Sequence, residues 1–246
     1  GSLVTFESAS AQALPEYKKH KGEHWHRWIE RKPVQFIVWT FVAVAIGGAI
    51  EMMPTFLVES NVPTIASVTP YTPLELEGRD LYIREGCNNC HSQMIRPFRN
   101  EVVRYDPNGM EYSKAGEYVY DHPFLWGSKR TGPDLHRIGQ KYDNAWHYRH
   151  MYDPQAMNEQ SIMPRYPWFI TDDLDASDLE AKISALRTVG VPYAEGYEAQ
   201  ALADLNKQAA EITADLKSKG IDVSQDKEII ALIAYLQRLG TDIHKK

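Results

Sequence analysis

One long apolar segment limits what this chain can fold into. From Val34 to Ile50 only two polar side chains interrupt the apolar residues, and the segment continues less purely to Val58. As a helix, residues 34–58 would be roughly 37 Å long, which exceeds the hydrocarbon core of a bilayer at about 30 Å. The sequence therefore predicts one transmembrane helix at residues 34–58.

Charged residues flank this segment unevenly. After the segment, the first Lys or Arg is Arg79. Six such residues precede the segment: Lys18, Lys19, Lys21, Arg27, Arg31 and Lys32. Because such residues are retained on the cytoplasmic side, we predict that residues 1–33 are cytoplasmic and that the larger part lies outside. A cleaved signal peptide is the alternative, but its small-residue site would fall inside the apolar run, at residues 43–45. Glu51 in the span faces either a partner helix or the headgroups.

The rest of the chain has the composition of a globular domain. Its 246 residues are 43% apolar and 24% charged, with a net charge of -6, so there is no basic excess for nucleic-acid binding. Residues 59–73 contain three prolines and are predicted to be a linker. Thr72 as N-cap, Pro73 at the first helical position and Glu75 in a capping box predict that a globular domain follows at residues 74–246.

The only two cysteines stand three residues apart. Cys87 and Cys90 are followed by His91, which is the Cys-x-x-Cys-His pattern of covalent haem c attachment. Two thiols one short turn apart can add to the two vinyl groups of one porphyrin, and the adjacent imidazole then lies under the iron as an axial ligand. A thioredoxin-like redox pair does not require the histidine, and a zinc site requires a second pair of ligands. Haem c is the favoured prediction.

A second axial ligand to the iron has to come from elsewhere in the chain. We predict Met163, because it lies in a proline-bounded loop far enough along the chain to pass over the other face of the haem. Met/His ligation fills both axial positions and favours electron transfer over binding of O2. The other candidates by residue type are Met94, Met110, Met151, Met157, His122, His136, His147 and His150.

A turn containing Gly132 and Pro133 lies between the two predicted ligands. In small c-type cytochromes a comparable Gly-Pro stretch packs on the histidine side of the haem, and its carbonyl orients the imidazole. We expect the same arrangement here. Three arginines, Arg96, Arg99 and Arg130, are predicted to contact haem propionates or acidic patches on a partner, with plain solvent exposure as the alternative.

Three helices are predicted after Met163. Residues 172–189 and 195–219 show helical spacing amid many charges and are predicted to be added surface helices. Residues 227–239 present a wide apolar face and end at Gly240, which is typical of the closing helix of a cytochrome c fold. The predicted fold is all-α: a single N-terminal transmembrane helix and a cytochrome c domain with added surface helices.

The haem motif lies within longer stretches that resemble a known family. They are Gly78–Cys87, His91–Arg99, Tyr120–Leu135, Met163–Trp168 and, in the apolar segment, Gly47–Glu51. Together they closely resemble the monohaem cytochrome c subunit (subunit II) of cbb3-type cytochrome c oxidases, over residues 34–193 and the final helix. The N-terminal extension and the segment near 195–220 depart from the resemblance, and no function is carried onto them.

The resemblance implies an electron-transfer subunit of an oxidase complex that has no O2 chemistry of its own. Such a subunit takes electrons from a dihaem cytochrome c subunit. It passes them to the haem b of a haem-copper catalytic subunit, which reduces O2 to water and pumps protons. The implied location is the bacterial inner membrane, with the haem domain in the periplasm, and a small single-span subunit is a further implied partner.

The resemblance also implies residue roles. Cys87 and Cys90 bind haem c covalently, and His91 and Met163 ligate its iron. A calcium ion shared with the catalytic subunit is implied nearby, with Ser128 as its candidate contact. The implied docking surface consists of Asp121, His122, Trp126, Lys129 and Arg130. The alternative function is a free-standing, membrane-anchored electron shuttle; a haem sensor or peroxidase with an open iron site is a third.

Overall fold

The structure is a computed structural model that describes residues 30–58, 63–106, 109, 111–127 and 129–244. Its regular elements are helical, and pairing of β type among these residues is limited to one isolated bridge between Asp173 and Lys227. The predicted all-α class is confirmed. The chain forms two compact units, Gly1–Asn61 and Val62–Lys246.

Helix α1, Pro33–Leu57, belongs to the first unit. Pro33 occupies its first position, where a missing backbone N–H removes no helical hydrogen bond. Within the described part of the chain, this is the one helix long and apolar enough to cross a membrane, with a mean hydropathy of 1.9 over Pro33–Thr55. Its ends lie close to the predicted bounds of the span.

The described residues of the second unit contain eight further α-helices and three short 3₁₀ segments. The α-helices are α2 Pro73–Arg84, α3 Arg99–Tyr105, α4 Asn144–Tyr152, α5 Pro154–Met157, α6 Trp168–Thr171, α7 Leu179–Thr188, α8 Glu198–Ser218 and α9 Glu228–Arg238. The 3₁₀ segments are Cys87–Asn89, Ala115–Tyr118 and Asp242–His244.

Helix α2 begins where the sequence predicts. The Thr72 hydroxyl accepts a hydrogen bond from the Glu75 N–H, and the Glu75 carboxylate accepts one from the Thr72 N–H at 2.8 Å. This capping box satisfies two backbone donors that the first turn of a helix leaves without partners. Helix α2 therefore starts at a defined residue and delivers the chain to the cysteines.

Helix α9 closes the core by crossing α2. Gly78 of α2 allows the two backbones to meet, because a Cβ at this position would overlap the Ala231 carbonyl. The buried face of α9 includes Ile229, Ile230, Leu232, Ile233, Tyr235 and Leu236. Gly240, with φ +71°, follows the helix end in the left-handed conformation that its sequence predicts.

The two helices between Met163 and α9 differ in detail from their predictions. Helix α7 begins at Leu179 rather than at residue 172, because Leu174 is held by a backbone hydrogen bond to the Asp226 carbonyl at 2.7 Å. Helix α8 packs against α2, α7 and α9. One face of it is buried at Ala201, Leu205, Ala209 and Leu216. Helix α8 therefore contributes side chains to the core as well as covering the surface.

Residues 63–72, which the sequence predicts as part of a linker, pack against the rest of the second unit. Val68 is buried, and the Thr69 carbonyl accepts a hydrogen bond from Arg238 at 2.7 Å. The Tyr71 carbonyl accepts another from the Tyr193 hydroxyl at 2.7 Å. The compact unit thus begins upstream of residue 74.

Candidate haem site

The two cysteines lie on one tight turn directly after α2. Gly86, with φ +67°, reverses the chain at the helix end in a left-handed backbone conformation that residues with side chains rarely adopt. The His91 N–H then donates to the Cys87 carbonyl at 2.9 Å. Cys87 is half-buried, Cys90 is exposed, and both thiols are free. The turn therefore presents both sulfur atoms and the His91 imidazole within one short segment, as attachment of a single porphyrin requires.

The environment of Cys87 does not resemble that of a redox-active thiol pair. Burial, with a smaller contribution from the Glu85 carboxylate, raises the pKa of the Cys87 thiol to about 12. Reactive Cys-x-x-Cys motifs instead lower the pKa of a thiol to form a thiolate near neutral pH. The described residues contain no group of three or more His, Cys, Asp or Glu side chains that could hold a metal ion.

The His91 ring is oriented by the turn that contains Gly132 and Pro133. Its Nδ1 lies 2.8 Å from the Pro133 carbonyl oxygen. Because a carbonyl only accepts, Nδ1 carries the proton, and Nε2 keeps the lone pair that a metal ligand requires. This is the arrangement that the Gly-Pro pattern predicts.

Gly132 packs directly against the imidazole. A Cβ at this position would lie 2.7 Å from His91 Nδ1 and would overlap Cε1, so no larger residue fits without displacement of the ring or the loop. The Gly132 N–H also donates to the Cys90 carbonyl at 3.0 Å. The residues present thus fit a haem whose iron is bound by His91 Nε2.

Asp134 fastens the turn to the segment that follows the haem motif. Its buried carboxylate accepts hydrogen bonds from the Ser92 hydroxyl at 2.6 Å and the Met94 N–H at 2.8 Å. It also accepts one from the His136 N–H at 2.9 Å. These bonds join the two chain segments that flank the imidazole.

Glu117 fastens the same turn from the other end. It accepts hydrogen bonds from Arg137 at 2.6 and 2.9 Å and from His136 Nε2 at 2.9 Å, and all three side chains are buried. Burial alone would raise the pKa of Glu117, but these two partners lower it to about 2. Glu117 is therefore ionised at neutral pH and balances the charge of Arg137.

Met163 lies half-buried against the core, in a loop that is attached to α4. The Tyr166 N–H donates to the Met151 carbonyl at 3.0 Å. Arg165 forms two hydrogen bonds with Asp153, at 2.8 and 3.1 Å, next to the end of α4. Both attachments lie directly after Pro164, the proline that follows Met163, so the loop is fixed to α4 on that side.

The other candidate ligands have different surroundings. His136 is bound to Glu117, Met151 is buried in the core, and Met94 is half-buried. His122 and Met157 are exposed. Met110 lies outside the described residues. Two imidazoles of α4 remain, His147 and His150.

Helix α4 carries buried imidazole nitrogens, on His147 and His150, that have no hydrogen-bond partner among the described residues. His147 is 1% exposed, neither of its ring nitrogens has a hydrogen-bond partner among the described residues, and burial lowers its pKa to about 4. Burial, with a smaller electrostatic contribution from the nearby His91, lowers the pKa of His150. The His150 imidazole of α4 is thus close enough to His91 for the two rings to interact electrostatically.

An aromatic stack holds this face of α4. The rings of Tyr142 and Trp146 are 4.0 Å apart between centroids, and those of Trp146 and His150 are 4.5 Å apart, with interplanar angles of 13° and 15°. This stack is not among the sequence-based predictions. The spacing of four residues between Tyr142, Trp146 and His150 is a signal that could have revealed it, because side chains four apart lie on one face of a helix. It fixes the orientation of the His150 ring.

The three predicted arginines are placed differently from one another. Arg130 is directed inward, with hydrogen bonds to the Ser92 hydroxyl at 2.8 Å and the Met94 carbonyl at 2.7 Å, and an ion pair with Glu101 at 2.7 Å. Arg96 also binds Glu101, at 2.7 Å. Burial would raise the pKa of Glu101, but these two arginines lower it to about 2. Arg99 is exposed.

The implied docking surface requires one correction. Asp121 is 5% exposed and forms a buried ion pair with Arg79 at 3.2 Å, so its carboxylate is part of the interior. Trp126 stacks on the exposed Phe124 ring at 4.6 Å. Ser128, the candidate calcium contact, lies outside the described residues.

Comparison with known families gives one finding. The family model described as cytochrome c oxidase, mono-heme subunit/FixO, matches residues 26–243, which include α1 and nearly all of the second unit. A search of curated proteins gives no match.

Proposed function

Because the chain belongs to the mono-haem subunit (FixO) family of cytochrome c oxidases, we propose that it is the electron-relay subunit of a cbb3-type terminal oxidase. The observation that carries this proposal is the His91 imidazole, whose Nδ1 is held by the Pro133 carbonyl at 2.8 Å directly after the two cysteines. That arrangement leaves Nε2 free to bind an axial position of an iron.

Cys87 and Cys90 are the proposed covalent attachment points of one haem c, through thioether bonds to its two vinyl groups. The bound haem supplies a one-electron couple between ferrous and ferric iron. His91 would be the first protein ligand of the iron, and the Gly132 backbone keeps its ring from tilting because it is in contact with the imidazole. Met163 would be the second ligand, and its bound thioether would exclude O2 and peroxide from the iron.

The proposed electron path places this chain between two other redox subunits. It accepts electrons from a dihaem cytochrome c subunit and passes them to the haem b of the haem-copper subunit, where O2 is reduced to water and protons are pumped. Helix α1 anchors the chain in the bacterial inner membrane, with residues 1–33 in the cytoplasm and the haem domain in the periplasm. A small single-span subunit and a calcium ion near Ser128, shared with the catalytic subunit, complete the proposed assembly.

Purification of the tagged full chain in a mild detergent tests this proposal. We expect haem b and copper to co-elute with the chain in fixed ratio. Elution of a lone monohaem protein would contradict the oxidase role and would support the free-standing shuttle instead. A matched sample of the Cys87→Ser, Cys90→Ser double variant, which cannot form either thioether, controls for haem that is merely adsorbed.

A further inference from the structure

A groove of about 340 Å³ lies between α3 and the turn that holds His91. Asn100, Glu101 and Arg104 of α3 line one side of it. Arg130, Gly132 and Pro133 line the other. The groove is therefore bounded by the same turn that orients the proposed axial ligand.

Only one layer of backbone separates this groove from the His91 imidazole. Gly132 lines the groove, and its missing side chain leaves the backbone in contact with the ring. Pro133 also lines the groove, and its carbonyl accepts the hydrogen bond from His91 Nδ1. Because electron-transfer rates fall steeply with distance, a redox partner seated in this groove would be well coupled to the iron through the ligand.

The surface around the groove is positively charged, although the chain carries a net charge of -6. In segments 94–106 and 129–134 the exposed charged side chains are all cationic: Arg96, Arg99, Arg104 and Lys129. The acidic residues of these two segments, Glu101, Asp106 and Asp134, are all buried and bound to protein groups. A local excess of exposed positive charge thus lies on the two segments that line the groove.

Three of these cations are not neutralised by neighbours. Arg99, Arg104 and Lys129 form no ion pair with any residue that the structure describes, whereas Arg96 and Arg130 share Glu101. Exposed charges that are not paired act mainly on the encounter with a charged partner, and their effect on its rate depends on salt. A carboxylate-rich protein surface has the complementary charge.

We propose that this groove, which is lined by Arg104, Arg130, Gly132 and Pro133 and has the exposed cations Arg99 and Lys129 next to it in the chain, is where the chain exchanges electrons with an acidic face of a partner redox protein. In each exchange one electron passes between the iron and the partner, so that one is oxidised as the other is reduced. The inference rests on the proposed function for the presence of the haem. It specifies the surface that the partner contacts, the passage of the electron on the His91 side of the haem, and the negative charge of the partner's surface.

The first test uses the purified full chain, in detergent, with its haem reduced. Ferricyanide, an anion, and tris(phenanthroline)cobalt(III), a cation, each take one electron from ferrous haem. For Arg104→Glu at low ionic strength we expect oxidation by ferricyanide to slow by about tenfold and oxidation by the cobalt complex to accelerate. The rates should converge with those of the unchanged protein near ~1 M salt, where the Debye length is about 3 Å.

A matched control makes this test specific. Lys207→Glu causes the same change in charge at an exposed position of α8, away from the residues that line the groove. It should leave both rates nearly unchanged. Equal slowing of ferricyanide oxidation by Lys207→Glu, or no slowing by Arg104→Glu, would overturn the proposal. The absorption spectrum and reduction potential of each variant establish that the haem itself is unaltered.

The second test uses the assembled complex and asks whether the partner is an acidic protein. A carbodiimide joins lysine amines to carboxylates in contact with them, so Lys129 should form cross-links to acidic residues of another redox subunit. These links should vanish in Lys129→Arg, which keeps the charge but lacks the amine, and Lys207 should not form them. Absence of Lys129 cross-links in a complex that contains haem b and copper would overturn the proposal. If the chain co-purifies with neither haem b nor copper, the proposed function is contradicted instead. The ferricyanide test would still decide whether the groove exchanges electrons.

Discussion

The His91 side and the Met163 side of the proposed haem site are built differently. On the His91 side, the imidazole is bound by Pro133 and packed by Gly132, and the turn that holds both is fastened by buried carboxylates. On the Met163 side, hydrogen bonds of Arg165 and Tyr166, just after the methionine, attach the loop to α4 and its end. The ring nitrogens of His147 have no hydrogen-bond partners among the described residues.

This difference suggests a division of labour. The protein itself holds the orientation of the first ligand, so that side can transmit an electron with little rearrangement. The other side offers the Met163 thioether and two imidazoles of α4, of which His147 is buried and His150 half-buried. Substitutions on the His91 side should therefore cost more stability than those on the Met163 side.

The largest expected effect is that of Gly132→Ala. The added Cβ would overlap the His91 ring, so either the ring or the loop has to move, and the hydrogen bond to Pro133 is lost. Such overpacking costs about 3 kcal/mol, the upper part of its usual range, and should strongly reduce the yield of low-spin haem protein. Chemical denaturation and the absorption spectrum measure both effects. Gly48→Ala in α1, with no described atom within 4 Å of the added Cβ, is the control.

Glu117→Gln should be the next most damaging change. It leaves the buried Arg137 without its counter-charge, which costs about 3 kcal/mol at neutral pH. Because the pKa of Glu117 is lowered to about 2 in the folded chain, the ionised carboxylate stabilises the fold above about pH 4.5. That contribution is lost as the pH falls through about 2. Denaturation midpoints of the two proteins should converge over this interval, and a constant difference would contradict the account.

On the other side, Met163→Ala should leave the haem attached but change its chemistry. The cost in stability should be about 2 kcal/mol, the low end for loss of a methionine side chain, because Met163 is only half-buried. With one axial position open, the reduction potential should fall and the reduced chain should bind carbon monoxide. Redox titration and a carbon monoxide difference spectrum measure these effects. An unaltered potential would move the axial ligand to another residue, with His150 the first to substitute.

The smallest expected effect concerns His147. Its pKa is lowered to about 4 by burial, so the neutral imidazole is favoured in the folded state, and stability should be constant above about pH 6.5. As the pH falls, the unfolded chain takes up a proton first, which should cost about 2 kcal/mol near pH ~5. His147→Phe should remove this decline, whereas His122→Phe at an exposed position should not. Unfolding curves across this range measure it.

Local patterns in the sequence predict the parts of the site that depend on neighbouring residues. The capping box at Thr72, the helix end at Gly240 and the contact between the Gly-Pro turn and His91 are all set by short motifs, and the structure contains each of them. The bounds of α1 follow from its apolar run in the same way.

The parts that the sequence does not predict depend on pairs of residues far apart in the chain. The resemblance implies that Asp121 lies on a docking surface, whereas in the structure it forms a buried ion pair with Arg79 of α2. The hydrogen bonds of Arg130 to Ser92 and Met94, and its ion pair with Glu101, likewise join residues that are far apart in the chain. No local pattern reveals which cation a given carboxylate will meet once helices have packed.

The intact mass of the denatured full chain tests the central claim most directly. The account predicts a mass increase equal to one haem, located by peptide analysis on the segment from Cys87 to His91. Cys87→Ser should leave a single thioether at Cys90, and the double serine variant should show no added mass. An unmodified mass for the unchanged chain, obtained from cells that attach haem to other c-type cytochromes, would contradict the account.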